Sequence, residues 1–336
     1  MIQLLYNLKR TLFMKTIPEY YFDQISEKTA KINALKKDAS FMFITDLHIH
    51  DNAFVSVPLI KKVSKLTGIK KLISGGDYAY AFGADNECID DTVNSIKYLS
   101  EVKPELKFYS VRGNHDITIR HDRNSETGYT HPESETNKII LSENSPVTKV
   151  MPNEACYYFD DENEKIRYVV INTSDTQSED VGKFWGVNYS VSAPQIKWLA
   201  ENAFKFENGG EGWGIIVFGH VPVSDKMDAN NGVYKDVNDE LIAVKNKKAG
   251  NFGNYCGLKA ELIAYICGHV HVDNSIVDGG VLHVTTGPDA YYNDDIYKRV
   301  LGTVTETLFS AFTVDKTEHK LHLIRFGAGE DKTFDY

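Results

Sequence analysis

The chain has 336 residues, 42% of them hydrophobic and 25% charged, and its 37 Lys and Arg against 47 Asp and Glu give a formal charge of −10. That composition belongs to an ordinary globular protein and excludes disordered and fibrous classes. The acidic balance leaves no basic face for long-range capture of nucleic acid or anionic lipid.

Residues 1–38 read as a charged, helical lead-in. Their apolar patches are broken by Lys9, Arg10, Lys15 and Pro18, with no signal-peptide h-region and no cleavage site, and no run in the chain reaches membrane-spanning length. A cytoplasmic protein is expected. The domain proper is predicted over residues 39–336. Cys88, Cys156, Cys256 and Cys267 form no CxxC pair. They are too sparse for a disulfide framework in a chain this long, so reduced thiols are expected.

From about residue 40, short apolar runs alternate with amphipathic stretches, the pattern of an α/β layer architecture. Strands are predicted at 41–45, 71–74, 107–111, 167–172, 214–218, 262–267 and 281–285. Leu59, Val63 and Leu66 recur on one helical face, as do Ile89, Val93, Ile96 and Leu99. Ser192, followed by Pro194 and Gln195, predicts a capped helix start. Residues 117–146 are long, polar and weakly periodic, so a loop that is functional or disordered is expected there. Residues 307–326 predict two strands joined by a polar turn.

Several of the apolar strands end alike. The first runs into "TDLHIH", the second into "SGGD", the third into "RGNHD", and two later ones into "FGHVP" and "CGHVH". In open α/β sheets ligands bind outside the carboxyl ends of strands. Asp46 and Asp77 are 31 residues apart, and Asp77 and Asn114 are 37 apart, spacings that suit a strand, a crossover helix and a strand. These side chains should therefore meet on one rim. If the chain stays extended past the first strand, Asp46, His48 and His50 share one face, and His269 and His271 repeat the arrangement. Carboxylates, imidazoles and an amide without a thiol favour Mn, Fe or Zn. The donors are too numerous for one ion. Two divalent ions about 3.5–4 Å apart around a shared carboxylate would use them all, the arrangement that serves in-line displacement at phosphorus.

The blocks D46-L-H48, G76-D77, G113-N114-H115-D116, G219-H220 and G268-H269-V-H271 resemble, in order and spacing, the signature blocks of the calcineurin-like metallophosphoesterases, over about residues 40–290. The resemblance implies a four-layer αββα sandwich, two mixed sheets flanked by helices. It implies one ion on Asp46, His48 and His271, another on Asn114, His220 and His269, and Asp77 between them. A metal-bridging hydroxide would attack phosphorus, and His115 would assist the leaving group. The implied enzyme hydrolyses a phosphomonoester or phosphodiester, in a small molecule or a polymer.

There is a departure from the pattern. In the protein-phosphatase branch the second block continues to an Asp and an Arg. Here Tyr80 and Ala81 stand in their places, so that branch is disfavoured and His115 needs another orienting partner. His50, Arg120 and His121 are candidate substrate contacts, set against solvated-loop readings. Tyr291, Tyr292 and Asn293 follow the Gly287-Pro288 turn and either line the pocket or pack as aromatics. His131, His283, His319 and His322 read as structural or exposed. The C-terminal "RFGAGEDKTFDY" resembles the ending of bacterial and phage-associated members. Two rival readings are a nuclease on the same scaffold, which the acidic charge opposes, and a binding module that has lost turnover, which the full set of metal-competent side chains opposes.

Overall fold

The apolar runs form strands whose side chains alternate between two buried faces, so each strand is covered on both sides. The computed structural model describes residues 17–49, 52, 55–80, 87–116, 118–120, 128–130, 133–175, 190–228, 232–292 and 296–336. In chain order the strands are β1 (Ala39–Ile44), β2 (Lys71–Ser74), β3 (Lys107–Ser110), β4 (Thr118–Arg120), β5 (Gly128–Thr130), β6 (Lys149–Val150), β7 (Tyr157–Asp161), β8 (Ile166–Val170), β9 (Gly214–Phe218), β10 (Glu261–Cys267), β11 (Asn274–Asp278), β12 (Val281–Thr285), β13 (Leu308–Asp315), β14 (Lys320–Gly327) and β15 (Lys332–Asp335). The helices are α1 (Phe22–Leu35), α2 (Ser56–Thr67), α3 (Glu87–Ser100), α4 (Glu133–Leu141), α5 (Ala193–Trp198) and α6 (Lys235–Lys245).

One sheet has the order β15-β14-β13-β1-β2-β3 and the other β11-β12-β10-β9-β8-β7-β6. Each is parallel at its centre, through β1-β2-β3 and β8-β9-β10-β12, and antiparallel at its margins. The sheets pack face to face through aromatic rings. Phe41 stacks on Phe312 of its own sheet at 5.1 Å and meets Tyr168 and Phe218 of the other edge-on, at 5.8 and 5.4 Å. Met42 and Ile44 of β1 point the other way, into a core shared with Ile32 of α1 and Ile60 and Val63 of α2. On the far side, Val169, Ile215 and Val217 pack with Ile196 and with Leu241 and Val244 of α6. The result is the helix–sheet–sheet–helix layering expected of this sequence.

Several details differ from the sequence reading. Leu66 is 43% exposed and Ile60 is fully buried, so the core face of α2 is rotated from the predicted one. Residues 117–146 are not one long loop. They hold the short pair β4 and β5, registered Thr118↔Thr130, and then α4. Three-residue strands carry too little periodicity to be seen, and α4 buries polar Thr136 and Asn137 beside Ile140. β13 and β14 form the predicted hairpin in full register from Leu308↔Gly327 to Asp315↔Lys320. β15, a half-exposed edge strand, extends the sheet beyond that hairpin without a signal in the sequence. The lead-in helix α1 lies on the outer face of β14. Gln24 Nε2 donates to the Gly327 carbonyl (3.1 Å), and Lys28 and Lys31 reach Asp331 at 3.0 and 2.6 Å. Ser192 accepts a bond from Gln195 N as the N-cap of α5. Cys156 and Cys267 are buried free thiols and Cys256 an exposed one.

Candidate metal centre

β1, β2, β3, β9 and β10 all deliver their C-terminal ends to one edge of the sandwich, and each is followed within four residues by one of the blocks. The chain does not stay extended there, as the alternation argument required. Asp46 (φ 54°), His48 (43°), Asp77 (54°), His269 (71°) and His271 (56°) are left-handed. Non-glycine residues in that region cost of order 1–3 kcal/mol each and persist only where the surroundings impose them, commonly at functional sites. So Asp46 and His48 do converge, but through tight reversals and not through strand pleating, whereas His269 and His271 turn to different clusters, His271 to that of Asp46 and His48 and His269 to that of His220. The neighbouring glycines answer to the same crowding. A Cβ at Gly113 would overlap the Asp77 carboxylate and one at Gly268 would overlap that of Asp46.

Asp46 and Asp77 are buried at the centre of a ring of imidazoles. Asp46 Oδ1 lies 3.2 Å from His271 Nε2, 3.8 Å from His48 Nε2 and 3.9 Å from His220 Nε2. Asp77 Oδ2 lies 3.0 Å from His220 Nε2, 3.7 Å from His48 Nε2 and 3.9 Å from His115 Nε2. His48 Nε2 and His271 Nε2 are 3.2 Å apart, and Asn114 Oδ1 is 2.9 Å from His269 Nδ1. Two sets of potential ligand atoms result, each within 4.8 Å mutually: Asp46, His48, Asp77 and His271, and then Asp77, His220 and His269. Asp77 belongs to both.

The second ring nitrogen of three histidines is held by a backbone carbonyl. His48 Nδ1 donates to Ala79 O (2.9 Å), His220 Nδ1 to Gly75 O (2.8 Å) and His115 Nδ1 to Tyr80 O (3.2 Å). A proton on Nδ1 leaves the Nε2 lone pair aimed at the carboxylates, the tautomer that binds a cation. Asp46 Oδ2 is tied by the Thr45 hydroxyl (2.8 Å) and the His269 amide (3.2 Å), and Asp77 Oδ1 by the His115 amide (2.8 Å). The opposite oxygen of each therefore faces the imidazoles.

Charge in this pocket is finely balanced. Burial alone would raise the Asp46 carboxyl, but His271 and His220 outweigh it and hold it down to about 2. Asp77, despite burial, is held well below the usual range by His220 and His115. Burial pushes His48 down to about 4 and His269 down to about 3. Burial also penalises the His220 cation, yet Asp77 and Asp46 lift it to about 9, and Asp46 raises His271 in the same way. Anionic oxygens thus attract protons into a site where two imidazoles stay neutral. His220 Nε2 is buried, and its close polar neighbour is the Asp77 carboxylate, 3.0 Å away. A buried imidazole nitrogen set against a carboxylate shared by two clusters is the donor chemistry of a divalent cation site, where a cation would take the place of the proton.

A profile of the calcineurin-like phosphoesterase family matches residues 39–273, more than half of the chain. The chain belongs to that family. Among solved structures, this calcineurin-like phosphoesterase is similar to GAP50, described as the anchor in the inner membrane complex of Plasmodium (14% identity, 88% of each chain, TM-score 0.47). It is also similar to the phosphopantetheinyl hydrolase of Mycobacterium tuberculosis (12% identity, 75% of this chain and 90% of that one, TM-score 0.39). A third is TT1561 of Thermus thermophilus (11% identity, 88% and 99%, TM-score 0.41). No curated protein matches the sequence.

The calcineurin-like phosphoesterase therefore brings Asp46, His48, Asp77, Asn114, His115, His220, His269 and His271 together. His50, His121, Ala81, Asn293 and the Arg120 side chain lie outside the described residues. Among the described residues no helix is long and apolar enough to cross a membrane. Residues without an assigned role also shape the site. Asp116, last of the third block, accepts the amides of Tyr78 (2.7 Å), Gly113 (2.6 Å) and Asp77 (3.3 Å) and so locks the second block to the third. Burial and then Asp77 push its carboxyl up to about 6. Tyr292 stacks on His271 at 5.2 Å and so lines the pocket. Its loop is stitched to the first block by Asp289 N to Thr45 O (2.9 Å) and Ala290 N to Asp46 O (3.0 Å). Only adjacency to a strand end signals that loop in the sequence.

Proposed function

We propose that this protein hydrolyses a phosphate ester of a small molecule or a polymer, with two divalent ions of the Mn, Fe or Zn class. Asp46, His48 and His271 would hold one ion, Asn114, His220 and His269 the other, and Asp77 both. The observation that carries this reading is the overlap of the two ligand sets at Asp77. Bound ions would supply Lewis-acid charge at the phosphate oxygens and bring a water towards ionisation near neutral pH.

The chain's own residues do the rest. The carbonyls of Ala79 and Gly75 fix which nitrogens of His48 and His220 face inward. His115 stands beside them, its ring 5.0 Å from that of His48 and its side chain 29% exposed, at the open side of the site. With Nδ1 anchored on the Tyr80 carbonyl, its Nε2 is the nitrogen positioned to protonate a departing oxygen. That carbonyl supplies the orienting partner that the sequence lacked at the side-chain level.

The test is hydrolysis of 4-nitrophenyl phosphate and bis(4-nitrophenyl) phosphate by chelator-stripped protein, before and after Mn²⁺ is returned. Activity should vanish and reappear. Full activity in an Asp77→Ala protein would overturn the shared-ligand mechanism.

A further inference from the structure

Two tyrosines flank His48 of the first block and His271 of the last, and their chemistry narrows the substrate of the function proposed above, on which this inference rests. Tyr80 turns its ring edge-on to His48, with centroids 5.8 Å apart at 88°. Tyr292 lies against His271 at 5.2 Å and 25°, and 6.3 Å from His48. Both tyrosines are half-buried, while His48 is 3% exposed. The two rings therefore flank the imidazoles where the site opens, since the His271 side chain beside Tyr292 is 34% exposed. Tyr80 also fixes His115 through its carbonyl (3.2 Å), so the same residue borders the leaving-group side.

Among the described residues this wall presents no cation to the site, and the ion-pair partners of Asp46 and Asp77 are imidazoles. The nearby guanidinium of Arg299, 5.9 Å over the Tyr291 ring, is taken up by the carbonyls of Pro288 (2.9 Å) and Asp289 (2.7 Å). A phenol is neutral at pH 7. It can donate a hydrogen bond to a non-bridging phosphate oxygen but cannot neutralise a charge. A phosphomonoester carries nearly two negative charges at that pH, its second pKa being about 6. A phosphodiester carries one, and its second ester group is an uncharged substituent that a tyrosine ring can pack against.

We propose that Tyr80 and Tyr292 make this site select phosphodiesters: the phenols donate to the non-bridging oxygens of a monoanion and their rings hold its second ester group. In the reaction a water gives up one proton to solvent as its oxygen forms a bond to phosphorus, and the bond from phosphorus to the leaving oxygen breaks. That oxygen takes a proton from His115, giving an alcohol and a phosphomonoester. The product is more highly charged than the substrate, so a wall of neutral phenols also favours its release.

The experiment uses the full chain with Mn²⁺. It reads two quantities: kcat/KM for bis(4-nitrophenyl) phosphate and 4-nitrophenyl phosphate, and calorimetric affinity for dimethyl phosphate and methyl phosphate. Wild-type protein should favour the diester by at least about tenfold, the size of effect that one uncompensated charge readily produces. Tyr292→Phe, which keeps the stack on His271, should weaken dimethyl phosphate binding about three- to tenfold, the worth of one hydrogen bond. Tyr80→Arg keeps the backbone carbonyl and should raise methyl phosphate affinity and monoester turnover, closing the gap. Equal or better use of the monoester by wild-type protein overturns the inference while leaving the phosphoesterase reading intact. A ratio unmoved by both variants does the same. Binding of Mn²⁺ with no turnover of either ester overturns both.

Discussion

His115 is the residue whose proposed role can be separated from the candidate metal-binding set around it. Its Nδ1 bonds to a main-chain carbonyl, so the ring is positioned by backbone and survives side-chain changes nearby. Replacing it with Gln should lower kcat by about 10²–10⁴, the usual contribution of a positioned proton donor. The loss should be greater for an alkyl leaving group than for 4-nitrophenolate, which departs without a proton. Metal stoichiometry, measured by mass spectrometry, should be unchanged. A loss equal for both leaving groups would make His115 a binding residue only. Another histidine shows what the sequence hid. His283, which reads as structural or exposed, is fully buried on β12, and among the described residues neither ring nitrogen has a hydrogen-bond partner. Burial holds its pKa down to about 4, against the pull of Asp278 and with a small push from Lys226. An unfolded chain takes up that proton near pH 6.5, so the contribution to stability is complete above 6.5 and is lost as pH falls towards 4. It amounts to no more than about 3 kcal/mol, at 1.36 kcal/mol per pKa unit. Metal-free wild-type protein should thus lose thermal stability over this range more steeply than a His283→Phe variant does.

At the scale of elements, the segment between β12 and β13 shows how a loop becomes part of the site. Arg299 is 3% exposed, and its guanidinium gathers the carbonyls of Pro288 (2.9 Å), Asp289 (2.7 Å), Ala290 (2.5 Å) and Glu306. Asp289, also buried, accepts from Ser56 at the start of α2 (2.8 Å), from Thr307 (2.6 Å) and from the Leu308 amide (3.1 Å). One buried cation and one buried carboxylate thereby clamp the Tyr291–Tyr292 turn to the first helix crossover and to the Asp46 backbone. Arg299→Ala would leave several buried carbonyls without a donor, at a cost of about 1–3 kcal/mol for each group not rescued by water. We expect a lower denaturation midpoint, and Mn²⁺ affinity that drops as well, because the amide of Ala290 supports the loop carrying Asp46 and His48. Unchanged metal affinity in a folded Arg299→Ala protein would show that the turn is not coupled to the site.

Across the whole molecule, the central strands and the Asp and His side chains gathered at their ends are legible because parallel strands buried on both faces are written as continuous apolar runs. The runs stop at residues whose chemistry is unmistakable, as at Ile44 before Asp46 or Cys267 before His269. The left-handed geometry of Asp46, His48 and His271 is not legible, since Asp and His tolerate that region better than most residues but adopt it in only a small fraction of their positions. β4, β5 and β15 escape a sequence reading because short or half-exposed strands take their identity from a partner and not from their own periodicity. The site also joins the two halves of the sandwich. Asp46, His48, Asp77 and Asn114 follow strands of one sheet, whereas His220, His269 and His271 follow strands of the other. An ion held by both sets is a cross-link between sheets that the unfolded chain cannot form, so its binding energy becomes folding energy. At a Mn²⁺ concentration about 100 times the dissociation constant the gain is about 2.7 kcal/mol per site. That should raise the thermal midpoint of chelator-stripped protein by several degrees, progressively with ion concentration. Asp77→Ala should abolish most of the rise, because Asp77 serves both ligand sets, whereas His271→Ala, which touches one set, should leave part of it. If the rise persisted undiminished in the Asp77→Ala protein, the stabilising ion would be bound elsewhere, and the sheets would be held together by the apolar interface around Phe41, Ile216 and Val284 without help from this site.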